Sequence, residues 1–156
     1  MAKKIQTEKT INQIAFKLGD FLADTFVLYV KTLNYHWNMA GANFYMYHKL
    51  LETQYQDLAQ AADEIAERIR MLGRQAPATM ASFLKLASLK EGTSGLSQDK
   101  MITDLADSHQ SMIEQCNMLI HFTEEAETDD QGTADLIIKQ IRFHEKQAWL
   151  LKSHLT

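Results

Sequence analysis

Residues 44–72 read FYMYHKLLETQYQDLAQAADEIAERIRML, and this stretch indicates the fold class more clearly than the rest of the chain. Apolar side chains recur at alternating intervals of three and four residues, which is typical of one face of an α-helix packed in a bundle. The members of this stripe are Phe44, Tyr47, Leu51, Tyr55, Leu58, Ala62, Ile65, Ile69 and Leu72. Gly73 follows as a C-terminal stop signal. The stretch therefore predicts one long helix with a single buried seam.

Three more long helical patterns surround it. The first runs from about Thr10 to Trp37, the third starts near Ser97, and the fourth starts with Thr133 as its N-cap. Between the second and third patterns lies a connection that contains Pro77 and a short apolar segment, Phe83–Leu89. No stretch shows strand periodicity, so the sequence predicts an all-α fold. We expect a ferritin-like four-helix bundle over residues 10–156, with a short helix in the crossover and a flexible tail over residues 1–9.

Composition excludes several classes of protein. The 156 residues include one proline, six glycines and a single cysteine, Cys116, so neither a disulfide framework nor a cysteine zinc cluster is available. The net charge of −4 argues against nucleic-acid binding by the body of the protein. The most apolar segment, Phe21–Val30, contains Asp24 and is too short to span a bilayer, and no signal peptide is visible. We expect a cytoplasmic protein.

The first helix carries apolar residues on more than one face. Phe26, Val27 and Val30 fall outside its main stripe. A helix that is apolar on several faces is buried on several faces, and one small bundle does not supply enough cover. The pattern therefore predicts contacts between subunits.

Four residues could hold a transition metal: His36, His48, Asp63 and Glu67. Imidazole and carboxylate are the ligand types used for iron, manganese and zinc. Each residue also has an ordinary structural explanation, namely a core histidine, a surface histidine and a solvated acidic pair. At about 100° per residue, Asp63 and Glu67 lie roughly 130–170° from the centre of the apolar stripe. They therefore point away from the subunit's own core, towards solvent or another subunit.

Distance places a further constraint on these four residues. Asp63 follows His48 by fifteen residues, which corresponds to about 22 Å along one helix. His36 ends the first helix, and the turn after it places His36 near His48. If all four residues share a metal, two chains must build the site, and a two-fold dimer would contain two copies of it.

The segments around these residues resemble the Dps family of mini-ferritins. The likeness is carried by Asn34-Tyr35-His36-Trp37-Asn38, by His48, and by Asp63-Glu64-Ile65-Ala66-Glu67-Arg68, and it extends to Thr133-Ala134-Asp135-Leu136 and His144-Glu145-Lys146-Gln147-Ala148-Trp149. In that family a histidine pair from one subunit and an Asp-x-x-x-Glu pair from its two-fold mate bind iron. The Glu-x-x-His motif of classical ferritins is absent from this sequence.

The resemblance implies a ferroxidase that oxidises Fe(II), with hydrogen peroxide as the preferred oxidant. It also implies a hollow shell of twelve subunits that stores ferric iron and protects against oxidative stress. His36, His48, Asp63 and Glu67 would be the metal ligands and the catalytic residues. Trp37 could donate an electron to a stray radical, although simple packing explains it equally well.

Two charged regions are open to functional and ordinary interpretations. Acidic residues gather at Glu124, Glu125, Glu127, Asp129, Asp130 and Asp135. The resemblance implies that Asp130 and Asp135 line iron-entry pores, while a solvated loop is the simpler explanation. Lys3, Lys4 and Lys9 are weak evidence for DNA binding through the tail.

Two alternatives to the ferroxidase stay open. One is a DNA-compacting structural protein whose metal site is vestigial or holds zinc. The other is a helical adaptor in which the four spacings are coincidental.

Overall fold

Five helices form the structure, a computed structural model that describes residues 8–125 and 130–155. The helices are α1 (Glu8–Asn38), α2 (Phe44–Met71), α3 (Met80–Leu86), α4 (Gln98–Glu125) and α5 (Gln131–Lys152). The described residues contain no strand. The predicted all-α bundle with a short helix in its crossover is confirmed.

The four long helices pack in two antiparallel pairs, α1 with α2 and α4 with α5. Lys31 on α1 donates to Ser108 on α4 over 3.0 Å, and Asp24 accepts from Gln115 over 2.8 Å, so these two helices are also antiparallel. The core between the helices consists mainly of Leu, Ile, Phe, Tyr and Ala side chains. The predicted stripe of α2 supplies the fully buried Tyr47, Leu51 and Leu58.

A buried carboxylate fastens the crossover to the bundle. Asp24 is 1% exposed and accepts hydrogen bonds from the backbone N–H groups of Ser88 and Leu89, both at 2.7 Å, and from Ser88 Oγ at 2.8 Å. On α3, Phe83 stacks on Phe26 with 4.5 Å between ring centroids. The crossover is therefore held along α1.

The helix ends differ in detail from the sequence expectations. Helix α1 begins at Glu8, before the predicted Thr10, so Lys9 lies in the first helical turn rather than in a tail. The short helix ends at Leu86 and is capped by Thr79, whose side chain accepts from Ser82 N. Asp130 caps α5, not Thr133, because its carboxylate accepts from the Thr133 N–H at 3.0 Å.

Other predicted features agree with the structure. Gly73, at φ 76°, ends α2 in a left-handed conformation that its missing side chain allows. Cys116 is buried, and burial raises the pKa of its thiol to about 12, which fits a core residue. No helix within the described ranges is long and apolar enough to cross a membrane.

Candidate metal centre

His36, near the end of α1, and His48, near the start of α2, lie side by side. Their rings stack with 3.8 Å between centroids and 16° between planes. Nδ1 of His36 lies 2.9 Å from the backbone oxygen of His48, and Nδ1 of His48 lies 3.0 Å from the backbone oxygen of His36. Each ring is therefore fixed by the backbone of the other residue.

This reciprocal bonding fixes the tautomer of each ring. A carbonyl oxygen only accepts, so each Nδ1 must carry a proton and donate it. In a neutral imidazole the other nitrogen, Nε2, then carries a lone pair. Metal-binding histidines usually have this arrangement, with one ring nitrogen tied to a carbonyl and the other free for the metal. The pair thus offers two orientated Nε2 donors.

Neighbouring contacts hold the end of α1 in place. Tyr35 is buried and donates from its hydroxyl to Asp104 over 2.5 Å, while Lys31, 3% exposed, pairs with the same carboxylate at 3.1 Å. Burial and the hydrogen bond to Asp104 raise the pKa of Tyr35 to about 12. In the turn, Gly41 has φ 135°, and a Cβ there would come within 2.6 Å of the Gln98 side chain. The turn therefore requires glycine.

Asp63 and Glu67 lie elsewhere on α2, as predicted from the helix angles. Both are exposed, on the side away from the apolar stripe. Their neighbours are engaged with α5, since Glu64 accepts from Lys139 at 2.6 Å and Arg68 donates to Asp130. The structure does not bring Asp63 and Glu67 to the histidines within one chain.

Glu52 is a residue that the sequence analysis missed. It follows His48 by one helical turn and pairs with Lys49 at 2.7 Å. The hydrogen bond and charge of Lys49 lower the pKa of Glu52, and His36 and His48 add to that lowering. The carboxylate is therefore close enough to both rings for their charges to affect its pKa. The signal was in the sequence as a His-x-x-x-Glu spacing, which places both side chains on one face.

The aromatic residues around the histidines have different environments. Trp37 is 69% exposed, whereas Tyr55 packs its ring against His36 at 5.1 Å and Phe44 lies 5.0 Å from His48. Exposure is compatible with the predicted electron donation by Trp37 and does not test it. Tyr55 and Phe44, which the sequence presents as stripe residues, are thus aromatic rings in direct contact with the pair.

The two predicted pore residues also differ. Asp135 is exposed on α5. Asp130 is 8% exposed and accepts from Arg68 and from Thr133 Oγ1, the latter at 2.6 Å. Burial raises the pKa of Asp130, but these bonds and the Arg68 charge outweigh it, so the net pKa is below its usual value. Within the subunit, Asp130 thus serves as a helix cap with a charge partner.

The remaining charged residues are only partly described. Glu124 is exposed at the end of α4. The side chain of Glu125, together with Glu127 and Asp129, lies outside the described residues, and so do Lys3 and Lys4. Among the residues that are described, no three His, Cys, Asp or Glu side chains of one chain converge as a metal cluster.

Known proteins resemble this chain over nearly its whole length. A family model described as Ferritin-like domain matches residues 17–156. A low temperature-induced protein of Nostoc sp. is 39% identical over 140 residues, which is 88% of this chain and 77% of the relative. The DNA protection during starvation protein of Brevibacillus brevis is 33% identical over 142 residues, 91% of this chain and 94% of the relative.

Solved structures agree with the sequence relatives. Dps from Vibrio cholerae superposes with a TM-score of 0.91 at 30% identity, covering 100% of this chain and 98% of that one. Antigen TpF1 from Treponema pallidum gives a TM-score of 0.92 at 30% identity, covering 100% and 99%. The fold and site therefore define a ferritin-like protein, and the chain belongs to the Dps family of that superfamily.

Proposed function

We propose that this chain is the subunit of a ferroxidase that oxidises Fe(II) at sites shared between two subunits. His36 and His48 come from one subunit, and Asp63 and Glu67 come from its two-fold mate. Iron is the substrate in this scheme. The Vibrio cholerae neighbour is described as a member of a superfamily of ferritin-like diiron-carboxylate proteins, which supports iron as the metal.

The observation that carries the proposal is the reciprocal bonding of the two histidines. Both Nδ1–H groups are used internally at 2.9 and 3.0 Å, so both Nε2 lone pairs are available without any rearrangement. A pair of ordinary packing histidines has no need of this arrangement. Lys49 lowers the pKa of Glu52, and the charges of both rings lower it further, so we propose Glu52 as an additional carboxylate ligand in the assembled site. Within one chain, the described His36, His48 and Glu52 side chains do not converge as a metal cluster.

The donor set suits a change of oxidation state. Carboxylates are hard anionic ligands and favour Fe(III), whereas neutral imidazoles bind Fe(II) well. With hydrogen peroxide as oxidant, two Fe(II) ions each lose one electron and the O–O bond accepts both, so two hydroxide ions form and no hydroxyl radical is released. The role of the protein is to hold iron beside this reaction and to let the product leave.

Assembly completes the site. The exposed Asp63 and Glu67 need the histidine end of a second subunit within reach, and the partly exposed Phe26, Tyr29 and Val30 on α1 supply an apolar surface for contact. We propose a twelve-subunit hollow shell that stores a ferric mineral. Asp130 and Asp135 would line its cation-entry pores.

A direct assay tests this function. The purified protein is mixed with Fe(II) and then with hydrogen peroxide while ferric absorbance is followed, and particle mass is measured by light scattering. The proposal requires rapid peroxide-dependent oxidation by a large closed oligomer. A stable monomer, or an oxidation rate equal to that of iron in buffer, would contradict it.

DNA compaction is the competing function. Its support is the printed name of the Brevibacillus brevis relative, a DNA protection during starvation protein. In this chain Lys9 is built into α1, and the net charge is −4. A gel shift with plasmid at low salt separates the functions, because a compacting protein with a vestigial or zinc-filled site would retard DNA and leave Fe(II) unoxidised.

A further inference from the structure

A second pair of histidines lies inside the bundle, away from the candidate metal centre. His109 on α4 and His144 on α5 are both fully buried, with 2.8 Å between their Nδ1 atoms. Aromatic rings surround the pair: Phe143 lies 4.9 Å from His144, and Phe21 lies 6.2 Å from it. The outer nitrogen of each histidine, Nε2, has no hydrogen-bond partner among the described residues.

Two glutamines lie at the same level of the bundle. On α2, Tyr47 contacts His154 and Arg68 contacts Thr133. Gln54, seven residues after Tyr47, is therefore at the level of Gln147, seven residues before His154. Gln54 is 1% exposed and Gln147 is 4% exposed.

The helix register connects these glutamines to the histidines. Tyr29 on α1 contacts Tyr55 on α2, and Lys31 contacts Ser108 on α4. Val30, between those two residues of α1, is thus level with both Gln54 and His109. The register therefore places Gln54 and Gln147 within about two helical turns of the histidine pair along the bundle axis. We call His109, His144, Gln54 and Gln147 the polar layer.

Five buried polar atoms of this layer have no partner in the described part of the chain. They are both amide atoms of Gln54, Nε2 of His109, Nε2 of His144 and Oε1 of Gln147. Oε1 of Gln140, one helical turn before His144, is a further such atom beside the layer. Buried polar atoms in folded proteins nearly always have a partner, and where the protein supplies none the usual partner is a bound water or ion. A concentration of such atoms at one level points to a ligand rather than to isolated defects.

The number of protons on the two histidine rings indicates which kind of ligand the layer can bind. One Nδ1 must donate to the other, so the accepting ring carries its proton on Nε2 while the donating ring has a lone pair there. A cation could use only one of these two nitrogens. No atom of the layer belongs to a carboxylate that could balance a charge, and Asp104, on the same helix, is already paired with Lys31 and Tyr35. A neutral ligand that both donates and accepts fits every free atom.

We propose that this layer is an internal water-binding site in each subunit, separate from the inter-subunit iron site. Ordered water accepts from the protonated Nε2, donates to the other Nε2, and links the rings to the amides of Gln54 and Gln147. The histidine pair stays neutral, with one proton shared between its two inner nitrogens.

A high-resolution crystal structure of the assembled protein, with anomalous data at the iron and zinc edges, tests this site. The expected result is ordered water within hydrogen-bond distance of both Nε2 atoms and no anomalous peak. The proposal is overturned by a metal peak in the layer, or by glutamine amides turned directly onto the rings with no density between them.

Solid-state NMR of the assembled, ¹⁵N-histidine-labelled protein tests the proposed protonation of the two rings. The expected spectrum assigns two neutral rings to the pair, one protonated on Nδ1 and the other on Nε2. The double variant His109→Leu with His144→Leu supplies the assignment by loss of those signals, and its crystal structure should lack the water while keeping fast iron oxidation. A charged pair, or metal-shifted signals, would exclude the proposed site.

Discussion

The molecule contains two histidine pairs that differ in what their Nδ1 atoms bind. In the junction pair, His36 and His48, each Nδ1 donates to a backbone carbonyl of the other residue. In the core pair, His109 and His144, the two Nδ1 atoms bind each other at 2.8 Å. The junction pair therefore has two equivalent Nε2 lone pairs, whereas the core pair has one lone pair and one N–H.

The junction pair therefore has two nitrogen atoms that can bind a metal, whereas the core pair has only one. In the proposed site the two Nε2 lone pairs of the junction pair bind iron, and a second subunit adds the carboxylates. One lone pair and one N–H, enclosed by Phe21 and Phe143, suit a neutral polar ligand. Residue type alone does not distinguish the two pairs, because the hydrogen-bond partner of Nδ1 assigns their roles.

The largest expected effect comes from removing the junction pair. The double variant His36→Leu with His48→Leu should lower the rate of fast iron oxidation by more than about a hundredfold, since even second-shell changes at metal sites cost 10–100-fold. The matched control, His109→Leu with His144→Leu, should keep the wild-type rate within about twofold, well below the 10–100-fold cost of disturbing a metal site. Stopped-flow ferric absorbance measures both variants, and equal losses would remove the distinction between the pairs.

We expect acid to destabilise the folded protein through the core pair, His109 and His144. Burial lowers the pKa of His109 to about 3 and also lowers that of His144, with the His109 charge adding to the effect on His144. The unfolded imidazole takes up a proton below about pH 6.5, whereas the folded one does not until far lower pH. The free energy of unfolding is therefore highest above pH 6.5 and decreases as the pH is lowered. The decrease is about 2 kcal/mol between pH 6.5 and pH 5 for His109 alone.

Denaturant unfolding of wild type and the core double leucine variant at those two pH values checks this prediction. The variant lacks both core imidazoles, so its free energy of unfolding should change less over the same interval. A wild-type protein whose stability is flat from pH 6.5 to 5 would show that the core pair is not held neutral.

A smaller effect is expected at Glu52, beside the junction pair. Glu52→Gln removes a carboxylate while preserving shape, and iron oxidation should slow by about tenfold if that carboxylate helps to bind iron. The control is Glu64→Gln, an α2 carboxylate that pairs with Lys139 instead. Rates at limiting Fe(II) measure the difference, and indistinguishable variants would remove Glu52 from the site.

The smallest effect should come from Asp130, which lies far from both pairs. Asp130→Ala removes the cap of α5 and the partner of Arg68, which should cost about 1 kcal/mol and lower Tm by roughly 2–4 °C. Thermal unfolding followed by circular dichroism measures the loss. Full retention of Tm would mean that the cap contributes nothing to the assembled particle.

The sequence predicted much of this architecture because helix periodicity is local. The alternating intervals of α2 gave its length, its stop at Gly73 and the outward direction of Asp63 and Glu67. Boundaries were less accurate, since both Asp130 and Thr133 are good capping residues and only the folded backbone shows which one accepts the N–H. Lys9 was misplaced because the first turn of α1 is polar.

The site was only partly readable for a related reason. His36 and His48 are joined by a short turn, so their proximity followed from sequence distance. Glu52 was readable from its spacing to His48 but was overlooked. The pairing of His109 with His144 depends on how α4 and α5 align, which helix periodicity within each element does not specify. The contribution of a second subunit stays a prediction.

One measurement tests the two-subunit site most directly. Prepare a histidine-deficient chain, His36→Ala with His48→Ala, and a carboxylate-deficient chain, Asp63→Ala with Glu67→Ala. Each alone should assemble and oxidise iron slowly. In a mixed two-fold dimer one site is doubly defective, while the other combines intact histidines from one chain with intact carboxylates from its partner. We predict that fast oxidation returns on co-assembly in proportion to mixed dimers. Mixed particles confirmed by native mass spectrometry that stay inactive would contradict the shared site.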